Sequence, residues 1–373
     1  MASYNILVVG GGIGGMASAV ALTRAGHKVE LIDIDPQWRV SGAGITITGP
    51  TLRAYKQLGL LEEIKSQGAV TTGERIYRYD GEFLVDMDKP VLEEGLPATG
   101  GIMRPVLHHI MQKQVNELGV TVRLGLTVDG IEQRADAVDV AFSNGDQARF
   151  DLVVGADGIA SKVRSLAFPG ALEPKETGQA CWRIAMRRPP GFERGEFYLG
   201  HANPAGITAC GPDSIYMWML TRHEPGAWLN DEDAFDRLRE EIRDFGGTIA
   251  WIRDNMTKED WINYRPLAAI LQPAPWMEGR VVLVGDAAHA TTPHLASGAG
   301  MAVEDALVLA EELDAEGKGI PACLAAYSAR RYPRCADVVK TSVSVGQLQL
   351  DGGSPEQVGG LIGTALHRLA EHY

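Results

Sequence analysis

The chain has 373 residues and a formal net charge of −13, from 35 Lys and Arg against 48 Asp and Glu. This length suffices for two domains with buried cores, and the negative charge argues against nucleic acid or anionic lipid as a partner. The sequence shows neither a secretory signal pattern nor an apolar run long enough to span a membrane. We expect a cytoplasmic monomer or homodimer. Four cysteines without Cys-x-x-Cys spacing predict reduced thiols and no metal site.

A glycine-rich turn follows the first apolar strand, residues 6–9, and precedes a helical pattern. Glycines in a Gly-x-Gly-x-x-Gly pattern allow a tight turn, and the following helix N-terminus faces a pyrophosphate. The pattern predicts a dinucleotide site but leaves NAD and FAD open. Its candidate binding residues are Gly10, Gly12, Ile13, Gly14 and Gly15.

Asp33 ends the next strand, about twenty residues beyond the glycine turn, where a carboxylate can accept hydrogen bonds from two ribose hydroxyls. Asp33 therefore favours a free ribose, as in FAD. The alternative is an ordinary turn residue at the end of a strand, beside Asp35 and Pro36.

The middle of the chain contains short alternating runs at 75–79, 180–186, 196–199 and 214–220, which predict a half-buried antiparallel sheet. In the last run, Tyr216, Trp218 and Leu220 share one face, and Ile215, Met217 and Met219 share the other. The pattern does not decide which face borders a substrate. Arg183, Tyr216 and Trp218 are candidate substrate contacts, with core packing as the alternative.

A second cofactor segment follows the buried run 281–284. Asp286 of the Gly285-Asp286 pair emerges at the carboxyl end of that strand, where open α/β sheets bind ligands. Its alternative reading is a helix N-cap. The next helix begins among small residues, and its free N–H groups favour negative charge. The candidate residues there are Pro293, Gly298, Ala299 and Gly300.

Together with Asp157-Gly158, these segments resemble the aromatic-ring flavoprotein monooxygenases typified by para-hydroxybenzoate hydroxylase. The resemblance implies that the glycine turn holds the ADP half of FAD and that Gly285-Asp286 binds the ribityl chain. It also implies that Asp157 and Gly158 contact both FAD and a passing nicotinamide cofactor. Arg39 and Arg104 resemble the arginines near the FAD phosphate and ribose. The chain departs from the family in having Ala296-Ser297-Gly298 for Gly-Gln-Gly, and Gly300 for a common Asn.

We therefore expect an α/β protein, α+β overall, in which a Rossmann-like FAD-binding domain is interleaved with an antiparallel-sheet substrate domain. The cofactor motifs and alternating strands and helices assign residues 1–72, 97–176 and 266–373 to the first domain. Residues 73–96 and 177–265 form the second. Residues 346–355 read as a loop, and 358–372 as a closing helix.

The resemblance implies an FAD-dependent hydroxylase that consumes NADPH or NADH and O2 and acts on an aromatic small molecule, phenolic or heteroaromatic. A flavin C4a-hydroperoxide would deliver the oxygen, so no side chain is assigned as catalytic. The alternatives are another flavin oxidoreductase on this fold, namely an epoxidase, reductase or halogenase, and a non-catalytic binding module. The Trp-x-Trp-x-Ile-Pro run of halogenases is absent from the sequence.

Overall fold

The structure is a computed structural model that describes residues 3–40, 42–199, 203–224, 226–227, 229–315 and 317–373. The strands are β1 (Asn5–Val9), β2 (Lys28–Asp33), β3 (Gly44–Thr48), β4 (Ala69–Thr71), β5 (Gly73–Arg78), β6 (Phe83–Asp88), β7 (Thr99–Met103), β8 (Thr121–Leu124), β9 (Val128–Gln133), β10 (Val138–Phe142), β11 (Gln147–Phe150), β12 (Leu152–Gly155), β13 (Lys175–Arg187), β14 (Gly195–Leu199), β15 (Ala205–Ala209), β16 (Ser214–Arg222), β17 (Trp261–Ala269), β18 (Met277–Glu278) and β19 (Val281–Leu283).

The helices are α1 (Ile13–Arg24), α2 (Gly49–Gln57), α3 (Leu61–Gln67), α4 (Arg104–Glu117), α5 (Lys162–Ala167), α6 (Ala234–Glu241), α7 (Gly247–Asn255), α8 (Asp286–His289), α9 (Gly298–Leu313), α10 (Ile320–Leu350) and α11 (Pro355–Ala370). A short 3-10 turn, Pro293–Leu295, precedes α9. Within the described residues, no helix is both long and apolar enough to cross a membrane.

A six-stranded sheet in the order β18-β19-β12-β1-β2-β8 carries the cofactor motifs. Its strands run parallel except for β18, and the buried apolar residues of β1, β12 and β19 suit a parallel sheet covered on both faces. The strands β1, β2 and β19 end at the glycine turn, at Asp33 and just before Gly285. Because parallel strands share a carboxyl edge, motifs that are far apart in sequence converge there.

A second, seven-stranded sheet has the strand order β17-β13-β16-β15-β14-β5-β6. Its neighbouring strands are antiparallel except β14 and β5, which run parallel, so the expected antiparallel sheet is a mixed one. The reason is that β5 comes from an earlier part of the chain and is not joined to β14 by a hairpin. One face of this sheet packs against α6 and α7 in a separate hydrophobic core.

Near the end of the chain, the closing helix expected over 358–372 is present as α11, but the loop expected over 346–355 is shorter than predicted. Residues 346–350 continue α10 instead of forming a loop, and α11 begins at Pro355. Gly346 has no side chain, which lets α10 pass close to Gln179 and His294. The mixed α/β fold class is confirmed. The division into two interleaved domains with the stated boundaries stays a prediction.

Candidate functional site

A cavity of about 850 Å³ lies between the carboxyl edge of the six-stranded sheet and one face of the seven-stranded sheet. It is within the usual size range of small-molecule and cofactor sites. Residues from both ends of the chain line it, including the predicted Gly12, Ile13, Gly14, Asp33, Arg39, Arg104, Arg183, Tyr216, Trp218, Gly285, Asp286, Pro293, Gly298 and Ala299. The fold thus brings most of the candidate residues to one place.

The glycine turn presents backbone to the cavity. Gly12 is the N-cap of α1, is exposed, and has open space where a Cβ would stand. Gly10 has a φ of 106°, a conformation that favours glycine, and a Cβ on it would collide with the carbonyl of Ala156. Gly15 lies against the Gly10 carbonyl. Gly10 and Gly15 are therefore not among the cavity-lining residues and act by allowing the turn to close.

Asp33 and Trp38 hold the two peptide units on either side of the Gly11 Cα. The Asp33 carboxylate accepts hydrogen bonds from the backbone N–H of Gly11 at 2.6 Å and of Asp35 at 2.7 Å. The Trp38 indole Nε1–H donates to the Gly11 carbonyl at 2.9 Å. Trp38 was not predicted from the sequence, because its contact with Gly11 depends on the loop after β2 folding back on the glycine turn.

Gly285 and Asp286 form the turn between β19 and α8. Gly285 has a φ of 57°, and Asp286 is the exposed residue of an otherwise buried stretch, 281–290, so its carboxylate reaches the cavity. A Cβ at Gly285 would lie 3.0 Å from the Ala302 methyl group, and one at Gly14 would lie 3.4 Å from it. Ala302 on α9 thus packs against both cofactor motifs.

A buried network of charges supports this turn from behind. One oxygen of Asp305 accepts from the Gly285 N–H at 2.9 Å and lies 2.6 Å from His289 Nε2, and the other accepts from Arg331 Nε at 2.7 Å. Glu304 pairs with Arg331 at 2.9 Å and also with Arg334. Glu304, Asp305 and Arg331 are at most 2% exposed. Asp305 is therefore the group that joins the Gly285 turn to the interior.

The network stabilises the charged forms of His289 and Asp305. Burial by itself lowers the pKa of His289, but Cys335 and Asp305 outweigh it and raise the pKa well above its ordinary value. Burial would raise the pKa of Asp305, but His289 and Arg331 hold it well below its ordinary range. Ligand atoms of His289, Asp305 and Cys335 lie within 4.8 Å of one another, yet the Arg331 guanidinium already contacts both Asp305 and Cys335. We interpret the cluster as an ion-pair network rather than a metal site.

Four other candidate residues lie at or near the edge of the cavity: Arg39, Arg104, Asp157 and Gly158. Arg39 lies exposed at the cavity rim, 3.5 Å from Asp35, and Arg104 begins α4 beside Gly42. The Asp157 carboxylate accepts from Ser161 Oγ and from two N–H groups at the start of α5, while Gly158 lines the cavity. A contact between Asp157 and a cofactor stays a prediction, because this carboxylate already has partners in the protein.

Gly300 does not line the cavity either. It lies against the Thr51 hydroxyl and lets α9 approach α2.

The seven-stranded sheet forms the opposite wall of the cavity. Arg183 pairs across the strands with Asn263 on one side and Trp218 on the other, and the Trp218 ring folds over Gly206 towards Phe197, at 5.6 Å between ring centroids. Tyr216 lies on the same face, and burial raises the pKa of its phenol, which therefore stays protonated. Ile215, Met217 and Met219 lie in the core on the other face.

A third wall of the cavity includes His294, Gln349 and residues of α11, none of which was predicted as a site residue. His294 places Nδ1 2.8 Å from Thr292 Oγ1 and Nε2 3.2 Å from Gln349 Oε1. Burial lowers the pKa of His294 to about 4, so the imidazole is neutral at physiological pH. Helix α11 adds Ile362, Leu366 and Ala370. The i, i+4, i+8 spacing of these three residues predicts an apolar helix face, but it does not show what that face packs against.

Comparison with known proteins agrees with this geometry. The sequence model of the FAD binding domain family matches residues 3–342. A putative FAD-dependent monooxygenase of Bacillus subtilis, YetM, is 32% identical over 359 residues, which are 95% of this chain and 97% of the relative. The 2-heptyl-3-hydroxy-4(1H)-quinolone synthase of Pseudomonas aeruginosa is 33% identical over 317 residues, covering 82% of this chain and 80% of that protein.

The fold is also that of a solved flavoprotein. The crystal structure of Klebsiella pneumoniae HpxO complexed with FAD and uric acid superposes with a TM-score of 0.85 at 22% identity, over 99% of this chain and 93% of the other. The matched family region contains the glycine turn, Asp33 and the Gly285-Asp286 turn described above. The chain therefore belongs to the FAD binding domain family and is an FAD-dependent monooxygenase of the para-hydroxybenzoate hydroxylase-like group.

Proposed function

We propose that the cavity holds FAD, because the residues that line it fit this cofactor. Gly12 leaves open space at the start of α1, and the first N–H groups of a helix have no intrahelical acceptor and suit a pyrophosphate. Asp33 and Asp286 bring carboxylates to the cavity, where sugar and ribityl hydroxyls can donate to them. When bound, FAD supplies electron transfer and O2 activation, and the protein supplies binding, orientation and exclusion of water.

We propose that the protein uses NADPH or NADH and O2 to hydroxylate a planar aromatic small molecule, phenolic or heteroaromatic. One observation carries the proposal: the cavity face of the sheet is aromatic at Trp218 and Phe197 and polar at Arg183 and Asn263, within one cross-strand row. A flat ring fits against the aromatic half. A ring oxygen substituent fits the Arg183 and Asn263 half, because both side chains donate hydrogen bonds.

The relatives support this choice of substrate class. The Pseudomonas aeruginosa relative is named for a hydroxylated quinolone, and the Klebsiella structure holds uric acid. Both compounds are nitrogen heterocycles with oxygen substituents on the ring. Tyr216, protonated and close to Arg183, adds a further donor at the same end of the wall.

The test is substrate-stimulated turnover of the FAD-loaded protein. Phenols, aromatic acids and hydroxylated N-heterocycles are added singly with NADH or NADPH, and NAD(P)H consumption and product mass are measured under 18O2. We expect one ring class to accelerate NAD(P)H oxidation and to gain one 18O atom, and its analogue without the ring oxygen to do neither. A stimulated product without 18O would refute hydroxylation.

A further inference from the structure

Trp38 contacts the part of the glycine turn that lies at the start of α1, and no cofactor motif includes it. Its indole Nε1–H donates to the Gly11 carbonyl at 2.9 Å, and the side chain is 8% exposed. A Cβ on Gly11 would collide with this indole nitrogen, so the ring lies directly against the Gly11 backbone. We propose that Trp38 is a positioning residue that orients the Gly11-Gly12 peptide for the FAD pyrophosphate.

The argument rests on the geometry of the peptide unit. The carbonyl of Gly11 and the N–H of Gly12 belong to the same planar trans peptide and point in opposite directions. Trp38 fixes that carbonyl on the indole side, so the Gly12 N–H points away from the indole. Gly12 is exposed and lines the cavity, which places this donor where an anion can reach it.

The other donors of the turn show why this bond matters. The Gly10 N–H is used by the Ile32 carbonyl at 2.8 Å, and the Gly11 N–H by Asp33 at 2.6 Å. Among the residues that the structure describes, none accepts a hydrogen bond from the Gly12 N–H, so Gly12 is the first residue of the turn that can offer its N–H to a ligand. Without the indole, the Gly11 carbonyl keeps only its hydrogen bond from the neighbouring His108 imidazole, so the orientation of the peptide is less tightly fixed.

The backbone of Trp38 is itself strained. Its φ is 47°, a left-handed conformation that a bulky side chain rarely adopts. The neighbouring structure holds it there: Gln112 donates to the Trp38 carbonyl at 2.8 Å, and the edge of the indole meets the His108 ring at a centroid distance of 6.1 Å. Strain that the surrounding structure maintains at a ligand site is typical of a residue with a positioning role.

The test compares Trp38→Phe with Trp276→Phe. Trp276 is fully buried and also donates its indole N–H to a backbone carbonyl, that of Gln272 at 2.7 Å, but it does not line the cavity. We measure the Kd of FAD for deflavinated protein by flavin fluorescence, and the unfolding temperature of the same samples. Trp38→Phe should raise the Kd of FAD about tenfold or more, as expected if the Gly12 N–H loses its hydrogen bond to the charged pyrophosphate. Trp276→Phe should lower the unfolding temperature and leave the Kd unchanged.

Competition by FAD fragments separates a positioning role from a wall of the adenine pocket. ADP contains the pyrophosphate and adenosine lacks it. Trp38→Phe should weaken ADP competition by the same factor as FAD binding and leave adenosine competition unchanged. Equal weakening of adenosine, or a wild-type Kd for FAD, would overturn the proposal.

Gly11→Ala reaches the same hydrogen bond from its other side, because its methyl group displaces the indole. Gly11→Ala should weaken FAD and ADP alike. Combined with Trp38→Phe it should cost less affinity than the sum of the two single changes, because both break the indole contact, although the methyl group also presses on the Asp33 Cβ at 3.1 Å. Additive losses would contradict a shared contact.

Discussion

Replacing Asp305 by Asn tests whether the buried network positions the Gly285-Asp286 turn. The change keeps the shape of the side chain and removes the charge that accepts from Gly285, His289 and Arg331. The matched control is Glu304→Gln at the adjacent residue. Glu304 is also buried, but within the described part of the chain its ion-pair partners are Arg331 and Arg334 and not the Gly285 turn.

The expected magnitudes separate stability from binding. Removing one partner of a buried ion pair costs about 3–5 kcal/mol of unfolding free energy, so both variants should unfold at lower temperature. FAD affinity should fall in Asp305→Asn alone. If the displaced turn loses one hydrogen bond between Asp286 and FAD, worth about 1.5–3 kcal/mol, the Kd rises roughly tenfold to a hundredfold.

The pH dependence gives an independent readout. The raised pKa of His289 means that its charged form stabilises the fold in full below about pH 6.5, and that this contribution is lost as pH rises through the folded-state pKa. The lowered pKa of Asp305 means that its contribution is complete above about pH 4 and is lost at lower pH. The difference in unfolding temperature between wild type and Asp305→Asn should be largest between these limits.

The assay is FAD titration of deflavinated wild type, Asp305→Asn and Glu304→Gln, with unfolding followed from pH 4 to 9. We expect both variants to be less stable and Asp305→Asn alone to bind FAD weakly. Equal losses of FAD affinity in the two variants would refute the reasoning, because they would reflect general destabilisation. A pH-independent difference in unfolding temperature would refute the charged His289.

Three further changes probe the cavity itself. Gly12→Val should abolish FAD binding, because its side chain fills the open space at the start of α1. The control is Gly319→Val, at an N-cap with similar backbone and open space, which should leave FAD occupancy at the wild-type level. Full FAD occupancy in Gly12→Val would refute the site. Asp286→Ala should weaken FAD by about 1.5–3 kcal/mol, measured as Kd, and an unchanged Kd would reject its contact. Trp218→Ala should keep NAD(P)H oxidation but divert it from hydroxylated product to peroxide, whereas Met217→Ala, on the core face, should cost about 2–5 kcal/mol of stability without this loss of coupling. Loss of coupling in the Met217 variant alone would mean that the faces are reversed.

The sequence predicts features that depend on local spacing. The glycine turn, Asp33 and Gly285-Asp286 follow strands whose apolar runs are evident, and a parallel sheet must bring their carboxyl ends together. Alternation likewise separates Trp218 from Met217. It cannot decide which face meets the cavity, because that depends on where α6 and α7 pack.

Other features depend on contacts between distant segments. Asp305 looks like an ordinary helical residue until α9 packs beside the Gly285 turn, and Trp38 looks like a loop aromatic until it reaches Gly11. The predicted loop at 346–350 is helical, and Gly346 in it marks a close approach of α10 to Gln179 and His294 that the sequence alone does not show. Asp157 occupies a position of a cofactor motif, yet its carboxylate also accepts a hydrogen bond from an N–H at the start of α5, which the sequence alone does not show.

The contact of Ala302 with both Gly14 and Gly285 bears on how the apoprotein can be handled. A methyl group against two glycines sets the spacing between α1 and α9 through protein atoms alone. This packing contributes to the spacing between the nucleotide end and the ribityl end of the site. Protein stripped of its flavin should accept FAD analogues with altered ring systems, which makes reconstitution with modified flavins a practical route to the redox chemistry of this cavity.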